Sequence, residues 1–184
     1  MTRLNALAPE ASSGKTKELF EGIHAKLGMV PNMMRTMGNS SAVLDGYLGL
    51  SASLGKGALG AKLGELIAMT VAETNACNYC LSAHSFIGEK LVGMNPESLT
   101  EAREASHTDE KIKAALLFAK TLVEKKGRVS TEDVAGIRNA GYTEGEVTEI
   151  IAHVALNIFT NYINNTANTE IDFPEVKAYN TAVV

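Results

Sequence analysis

The sequence contains no tryptophan, and aromatic residues make up only 5 % of its 184 residues. With so few large rings, the core must be filled by Ala, Leu, Ile and Met, which favour helices. Cysteine is equally scarce: two residues are too few for the disulfide framework of a small secreted protein. Two thiols in a chain of this length indicate a reducing compartment, and we therefore expect a cytoplasmic protein.

The chain also lacks an excess of positive charge. Seventeen Lys and Arg stand against 21 Asp and Glu, for a net charge of −4. This balance argues against a surface that binds nucleic acid or anionic membranes. No apolar run approaches the ~20 residues of a membrane span, and residues 1–9 contain no stretch typical of a signal peptide. We expect neither nucleic acid nor a membrane among the partners.

Length and composition are those of one globular domain spanning residues 1–184. We expect its core to occupy about residues 19–168. Residues 169–184 are predicted to form a docking tail, because Pro174 keeps this segment from being helical.

Apolar residues recur at helical spacing along most of the chain, which predicts an all-α fold of about seven to nine helices. Ser130 and Thr143, each followed three residues later by an acid, are typical of capping boxes that begin helices. Further helices are predicted at residues 15–27, 41–54, 61–72, 77–91, 108–125 and from residue 96, and the helix after Thr143 should continue to about residue 165. No segment shows the alternation of a strand.

Cys77 and Cys80 form a Cys-X-X-Cys pair, with His84 four residues beyond and Glu65 twelve residues before Cys77. If a helix begins at Cys77, Cys80 and His84 share its side, because residues three and four apart lie on one helix face. The helix N-terminus is partly positive and offers free amides, which favours thiolate over thiol. The pattern therefore predicts a reactive dithiol.

Glu65 can take part only if the chain turns back. In one straight helix, twelve residues span ~18 Å, too far for a shared proton. A break at residues 73–75 would place two helices side by side and let Glu65 face the thiols. In the mechanism we hypothesise, Glu65 and His84 relay a proton from Cys80, whose thiolate attacks a peroxide and becomes a sulfenic acid. Cys77 then forms the disulfide, and an external dithiol reduces it. No metal, haem or flavin is needed, so we expect no cofactor.

Other interpretations of the pair remain open. Cys77 and Cys80 could be buried small hydrophobes, or bind zinc together with His84, although a fourth ligand is missing. A thioredoxin fold would need strands before the motif. The pair could also belong to a non-enzymatic redox sensor or assembly protein, in which the disulfide switches a partner contact.

A polar stripe marks the last helix, where His153, Asn157 and Asn161 are spaced by four residues. It could form a second wall of the active site, a subunit contact or a solvated helix edge. Tyr79 could likewise donate a hydrogen bond in the pocket or simply bury its ring.

The spacing of Glu65, Cys77, Cys80 and His84 resembles that of the alkylhydroperoxidase D-like branch of the carboxymuconolactone decarboxylase superfamily. Residues 161–164 and 172–174 resemble its peroxidase-related subgroup, and the resemblance extends over about residues 19–176.

The resemblance implies an all-α fold assembled as a homotrimer or homohexamer, with the active site near subunit contacts. It implies reduction of hydroperoxides by Cys80, with Cys77 as the resolving cysteine and a dithiol protein, such as a lipoylated one, as reductant. Tyr79 stands where the peroxidases of the family carry His, which removes one base from the relay. The decarboxylase branch lacks the cysteine pair, so Cys77 and Cys80 argue against that activity.

Overall fold

The computed structural model describes residues 1–179. Within them the chain forms nine α-helices and no strand. The helices are α1 (Gly14–Leu27), α2 (Asn32–Met37), α3 (Ser41–Leu54), α4 (Gly60–Thr74), α5 (Asn78–Phe86), α6 (Pro96–Arg103), α7 (Glu110–Glu124), α8 (Thr131–Asn139) and α9 (Glu144–Ala167). A 3₁₀ turn precedes α1 at Pro9–Ala11, and one wide π turn, Ile87–Leu91, continues α5. The prediction of an all-α single domain is confirmed.

Local signals position most helix ends. Ser130 and Thr143 form the predicted capping boxes at the starts of α8 and α9. Asp109 begins α7 by accepting hydrogen bonds from two free backbone amides. Sequence analysis missed α2, because a helix of six residues is too short to show periodicity.

Helix α4 lies at the centre of the molecule and packs against α5, α6, α7 and α9. Every residue from Leu66 to Ala72 is buried, as expected for a helix enclosed on all sides. Thr70 is accommodated there because its hydroxyl donates to the carbonyls of Leu66 and Ala102, at 3.1 and 2.6 Å. This enclosed helix is a firm support for Glu65, one turn from its N-terminal end.

The segment after α9 runs back across the molecule and packs along α5. The Ser82 hydroxyl accepts a hydrogen bond from the Val176 amide at 2.9 Å, and the Asn78 side chain accepts one from the Ala178 amide at 2.9 Å. We call residues 169–179 the C-terminal strap. The predicted tail extends to residue 184, and residues 180–184 lie outside the described part of the chain.

None of the helices found in residues 1–179 has the length and apolar character that crossing a bilayer requires.

Candidate dithiol active site

A tight reversal joins α4 to α5. Ala76 adopts a left-handed backbone conformation with φ of 49°, and the Cys77 amide donates to the Ala72 carbonyl at 2.9 Å. This geometry ends α4 and sends α5 back beside it. The turn expected at residues 73–75 lies slightly later, at residues 75–77, and it brings Glu65 next to the cysteine-bearing helix.

Glu65 contacts His84 across this helix pair. The Glu65 carboxylate lies 2.8 Å from His84 Nδ1, and both side chains are largely buried. Burial by itself would lower the pKa of His84, but the charge of Glu65, its hydrogen bond and the nearby Cys80 raise the pKa above its usual value. Glu65 therefore helps His84 to hold a proton, and the hydrogen bond directs the other ring nitrogen away from Glu65.

Cys77 and Cys80 are both free and almost fully buried, with exposures of 0 and 2 %. Cys77 is the N-cap residue of α5, and its sulfur accepts a hydrogen bond from the Cys80 amide at 3.3 Å. A sulfur thus occupies the position in which Ser, Thr or Asp usually caps a helix. The predicted helix start places the two sulfurs together at the first turn.

The surroundings of the two thiols shift their pKa values in opposite directions. Burial raises the pKa of Cys80, but the hydrogen bond with Cys77, the charge of His84 and the side-chain amides of Asn164 and Asn161 lower it to about 7. The same hydrogen bond with Cys80, together with burial, raises the pKa of Cys77 well above its usual range. Of the two thiols, Cys80 therefore ionises first as pH rises, and Cys77 keeps its proton.

Asn164 is a site residue that sequence analysis missed. Its side-chain amide donates to the Cys80 sulfur at 3.2 Å from α9, and Asn164 is buried. The available signal was its position three residues after Asn161, where it extends the polar stripe along an apolar helix. Nothing local in the sequence shows that this stripe meets α5.

A cavity of about 460 Å³ reaches Cys80. Cys80, His84 and Glu65 lie in its wall, and so do Tyr47 and Phe173, which sequence analysis did not assign to the site. Most of the remaining wall is apolar and includes Leu27, Met29, Met33, Met34, Leu54, Phe86 and Leu91. The cavity therefore suits a substrate with an apolar body whose reactive group reaches Cys80.

Three of the four expected pocket residues line this cavity: Tyr79, His153 and Asn157. Asn161 does not belong to the wall. It is fully buried behind it, and its side-chain oxygen accepts a hydrogen bond from Asn75 at 2.9 Å. Asn157 is tied to its own helix, because its amide donates to the His153 carbonyl at 2.9 Å.

Tyr79 connects α5 to α2. Its hydroxyl accepts a hydrogen bond from the Met33 amide at 3.1 Å, and its ring meets Phe173 edge-on at 5.8 Å. Burial raises the pKa of Tyr79 far above its usual value, so the phenol remains neutral. In this position Tyr79 closes one side of the cavity and contributes no base to the site.

His153 lies against Gly64 of α4, where an added Cβ would come within 3.1 Å of the imidazole. Its Nε2 atom is buried and has no hydrogen-bond partner among the described residues. Burial lowers the pKa of His153, although Glu149 and Glu65 oppose this effect. His153 is therefore a neutral imidazole in the cavity wall.

Metal ligation was the other chemistry that the cysteines and His84 suggested. No group of three or more His, Cys, Asp or Glu side chains among residues 1–179 is arranged to hold a metal ion.

Comparison with known proteins agrees with this architecture. The sequence model of the carboxymuconolactone decarboxylase family matches residues 41–120, which include Glu65, Cys77, Cys80 and His84. No curated protein matches the sequence.

Solved structures share the fold over nearly the whole chain. One is an uncharacterized peroxidase-related protein from Ralstonia eutropha JMP134, described as an alkylhydroperoxidase AhpD core. It superposes with a TM-score of 0.82 at 20 % sequence identity, and the match covers 93 % of this chain and 92 % of that chain. An uncharacterized peroxidase-related protein from Silicibacter sp. TM1040 gives 0.78 at 23 % identity, covering 92 % and 94 %. The debrominase Bmp8 gives 0.78 at 25 % identity, covering 94 % and 93 %.

These matches agree with the resemblance noted in the sequence. Residues 41–120 match the carboxymuconolactone decarboxylase family, and the chain as a whole has the helical fold of an alkylhydroperoxidase AhpD core.

Proposed function

We propose that the protein is a dithiol oxidoreductase that reduces hydroperoxides, with Cys80 as the attacking thiolate. One observation carries this proposal: Cys80 lies in the wall of a substrate-sized cavity, with the Asn164 amide 3.2 Å from its sulfur and the Glu65–His84 pair beside it. These neighbours lower the pKa of Cys80 while that of Cys77 is raised, which supports Cys80 as the nucleophile and Cys77 as the resolving thiol. The fold shared with peroxidase-related proteins supports an antioxidant role.

The chemistry requires only this chain and an external reductant. The Cys80 thiolate attacks the terminal oxygen of the hydroperoxide, the O–O bond breaks, and the departing alkoxide takes a proton from His84 to become an alcohol. Cys77 then attacks the sulfenic acid, forming the disulfide and releasing water. In total, one hydroperoxide and two thiols give one alcohol, one water and one disulfide. Glu65 holds His84 in place and favours its protonated form.

The proposed reductant is a dithiol protein in the cytoplasm. Both sulfurs are buried, so the reductant must insert a slender dithiol, and a lipoyl arm has this shape. Exchange with the arm regenerates the two thiols. We also propose a homotrimer or homohexamer, which light scattering of the purified protein would test; a monomer at micromolar concentration would contradict it.

The proposal is tested by peroxide consumption with tert-butyl or cumene hydroperoxide, using dihydrolipoamide or a lipoylated protein as reductant. We expect the wild-type protein to consume many equivalents and Cys80→Ser to consume none. Cys77→Ser should react once and accumulate a sulfenic acid at Cys80, detected by a dimedone adduct in mass spectrometry.

Two results would contradict parts of this proposal. Undiminished consumption by Cys80→Ser would remove Cys80 as the nucleophile. Oxidation of one equivalent, without turnover in excess reductant, would favour the redox sensor instead.

Reductive dehalogenation of an apolar ring is a second candidate, favoured by the large apolar cavity. The similar structure of Bmp8 is that of a debrominase, and a cysteine-to-alanine variant of Bmp8 was crystallised with 2,3,4-tribromopyrrole. A thiolate at Cys80 could take a halogen from a ring carbon, which then takes a proton. Cys77 would displace halide to form the disulfide, so one aryl halide and two thiols give arene, hydrogen halide and disulfide.

Bromide release from brominated pyrroles, in the same reductant mixture, distinguishes the two candidates. Peroxide turnover without bromide release favours the peroxidase, and the reverse result favours the dehalogenase. Cys80→Ser is the control in both assays, because both reactions begin at this sulfur.

A further inference from the structure

Helix α9 brings a buried amide to the reactive sulfur. Asn164 Nδ2 donates to Cys80 Sγ at 3.2 Å, and Asn164 is only 3 % exposed. Its side-chain oxygen is buried and has no hydrogen-bond partner within the described residues. Among the described residues, the Asn164 side chain therefore makes a single hydrogen bond, and its acceptor is the Cys80 sulfur.

Asn161 lies one turn earlier on α9 and is fully buried. Its side-chain oxygen accepts a hydrogen bond from Asn75 at 2.9 Å, which orients the Asn161 amide group. The Asn161 nitrogen has no hydrogen-bond partner among residues 1–179, although the Asn161 side chain helps to lower the pKa of Cys80. Asn75 thus fixes the orientation of a polar side chain close to the site.

This arrangement is unfavourable if Cys80 is a neutral thiol. A thiol is a weak acceptor, and each unpaired buried polar atom destabilises the fold. Apolar side chains would serve packing better at both positions. Against a thiolate, in contrast, the Asn164 N–H group forms a charge-assisted hydrogen bond, which is roughly twice as strong as one between neutral groups.

We propose that Asn164 is a catalytic residue, whose buried side-chain amide on α9 stabilises the Cys80 thiolate. The inference rests on the proposed function only in taking Cys80 as the nucleophile. Asn164 and His84 both stabilise the negative charge on Cys80. His84 loses its positive charge when it gives up a proton, whereas the Asn164 amide is uncharged and keeps its N–H donor throughout the reaction.

Other groups also face the sulfur and must stay unchanged in the test. His84 and Cys77 face it from α5 and its cap, and Glu65 acts through His84 from α4. Tyr47 approaches from α3, and burial and the charges of Cys80 and Glu65 raise its pKa to about 12. None of these residues is altered by a substitution on α9.

The test is the pH dependence of Cys80 alkylation by iodoacetamide, measured for the reduced full-length protein by mass spectrometry. In Asn164→Leu we expect the midpoint of alkylation to rise by about 1–2 pH units, since a hydrogen bond to a charged group has this magnitude. The rate at pH 7 should fall about 5- to 50-fold, in proportion to the thiolate fraction. Leu is similar in size and also removes the unpaired oxygen, so the variant should unfold at an equal or higher temperature.

Asn165→Leu is the matched control. Asn165 is the next residue on α9 and donates to the Asn75 carbonyl at 2.9 Å, but it is exposed and does not reach the sulfur. We expect its alkylation midpoint to equal that of the wild-type protein. An unchanged midpoint in Asn164→Leu, or the same rise in both variants, would overturn the proposal.

A measurement on the unmodified protein covers the case in which Asn164→Leu fails to fold. The side-chain amide protons of Asn164 should shift in NMR spectra with the same midpoint as Cys80 alkylation, because they bind the ionising sulfur. Amide signals that do not respond to this ionisation would refute the contact. Neither measurement depends on turnover of a peroxide. If the protein lacked peroxidase activity but the Asn164 amide signals shifted as Cys80 ionised, only the proposed peroxidase function would be contradicted.

Discussion

At the scale of single residues, the chemistry depends on which cysteine ionises first. Cys77 and Cys80 have the same side chain and lie in the same helical turn. The difference arises from their neighbours, since His84 and Asn164 stabilise negative charge only at Cys80. Reversal of the two roles would require these neighbours to lie at the other sulfur.

Glu65→Gln should show that Glu65 acts through His84. Loss of the carboxylate lowers the pKa of His84, which then places less positive charge beside Cys80. We expect the midpoint of Cys80 alkylation to rise by about one pH unit. A pH profile of iodoacetamide labelling measures it.

Glu149→Gln is a suitable control for this variant. Glu149 accepts hydrogen bonds from the Ala58 and Leu59 amides and influences His153, but it makes no contact with His84. If Glu65→Gln left the profile at the wild-type midpoint, Glu65 would have no part in the proton relay.

At the scale of elements, the C-terminal strap is held to the rest of the molecule by Arg103 at the end of α6. The Arg103 guanidinium contacts the Glu73 carboxylate at 2.8 Å and the Lys177 carbonyl at 2.6 Å, and it lies 3.6 Å from the centre of the Tyr179 ring. Both members of the Arg103–Glu73 ion pair are largely buried. Phe173 of the same strap forms part of the cavity wall.

Arg103→Ala should release the strap. It leaves Glu73 largely buried without its partner, which we expect to reduce the free energy of unfolding by roughly 3 kcal/mol. Hydrogen–deuterium exchange should increase in residues 170–179, and the cavity should become less selective among large and small hydroperoxides.

Arg138→Ala provides the comparison, because the Arg138–Glu144 ion pair is exposed and should contribute little. Equal exchange of the strap in the wild-type protein and in Arg103→Ala would show that Arg103 does not hold it.

At the scale of the whole molecule, the ionisation of Cys80 is coupled to folding. A thiol with a lowered pKa stabilises the folded state above its unfolded pKa of about 9, and this stabilisation is lost as pH falls through about 7. The difference in unfolding free energy between wild type and Cys80→Ser should therefore increase from pH 7 to pH 9. Its slope should not exceed about 1.4 kcal/mol per pH unit.

Urea unfolding under reducing conditions at pH 7, 8 and 9 measures this difference. His84 titrates in both proteins, so the comparison isolates the sulfur to first order. A difference that stays constant over this pH range would mean that Cys80 is not ionised in the folded protein.

Local signals in the sequence determined much of the architecture. Capping residues and apolar spacing predicted most helices within a few residues, because both act over one or two turns. The predicted start of α5 at Cys77 was within one residue of the observed start at Asn78. The turn before α5 was predicted from the distance that a straight helix would place between Glu65 and Cys77.

Only the tertiary structure decided what surrounds the dithiol. Asn164 reaches Cys80 across 84 positions of sequence, and Tyr47, Phe173 and α9 close the cavity from three separate elements. Such contacts depend on how helices pack against α4, which no local periodicity encodes. The sequence alone thus identified the residues that could react. Packing determined which of the two thiols ionises first, because burial and hydrogen-bond donors distant in sequence control the pKa of a thiol.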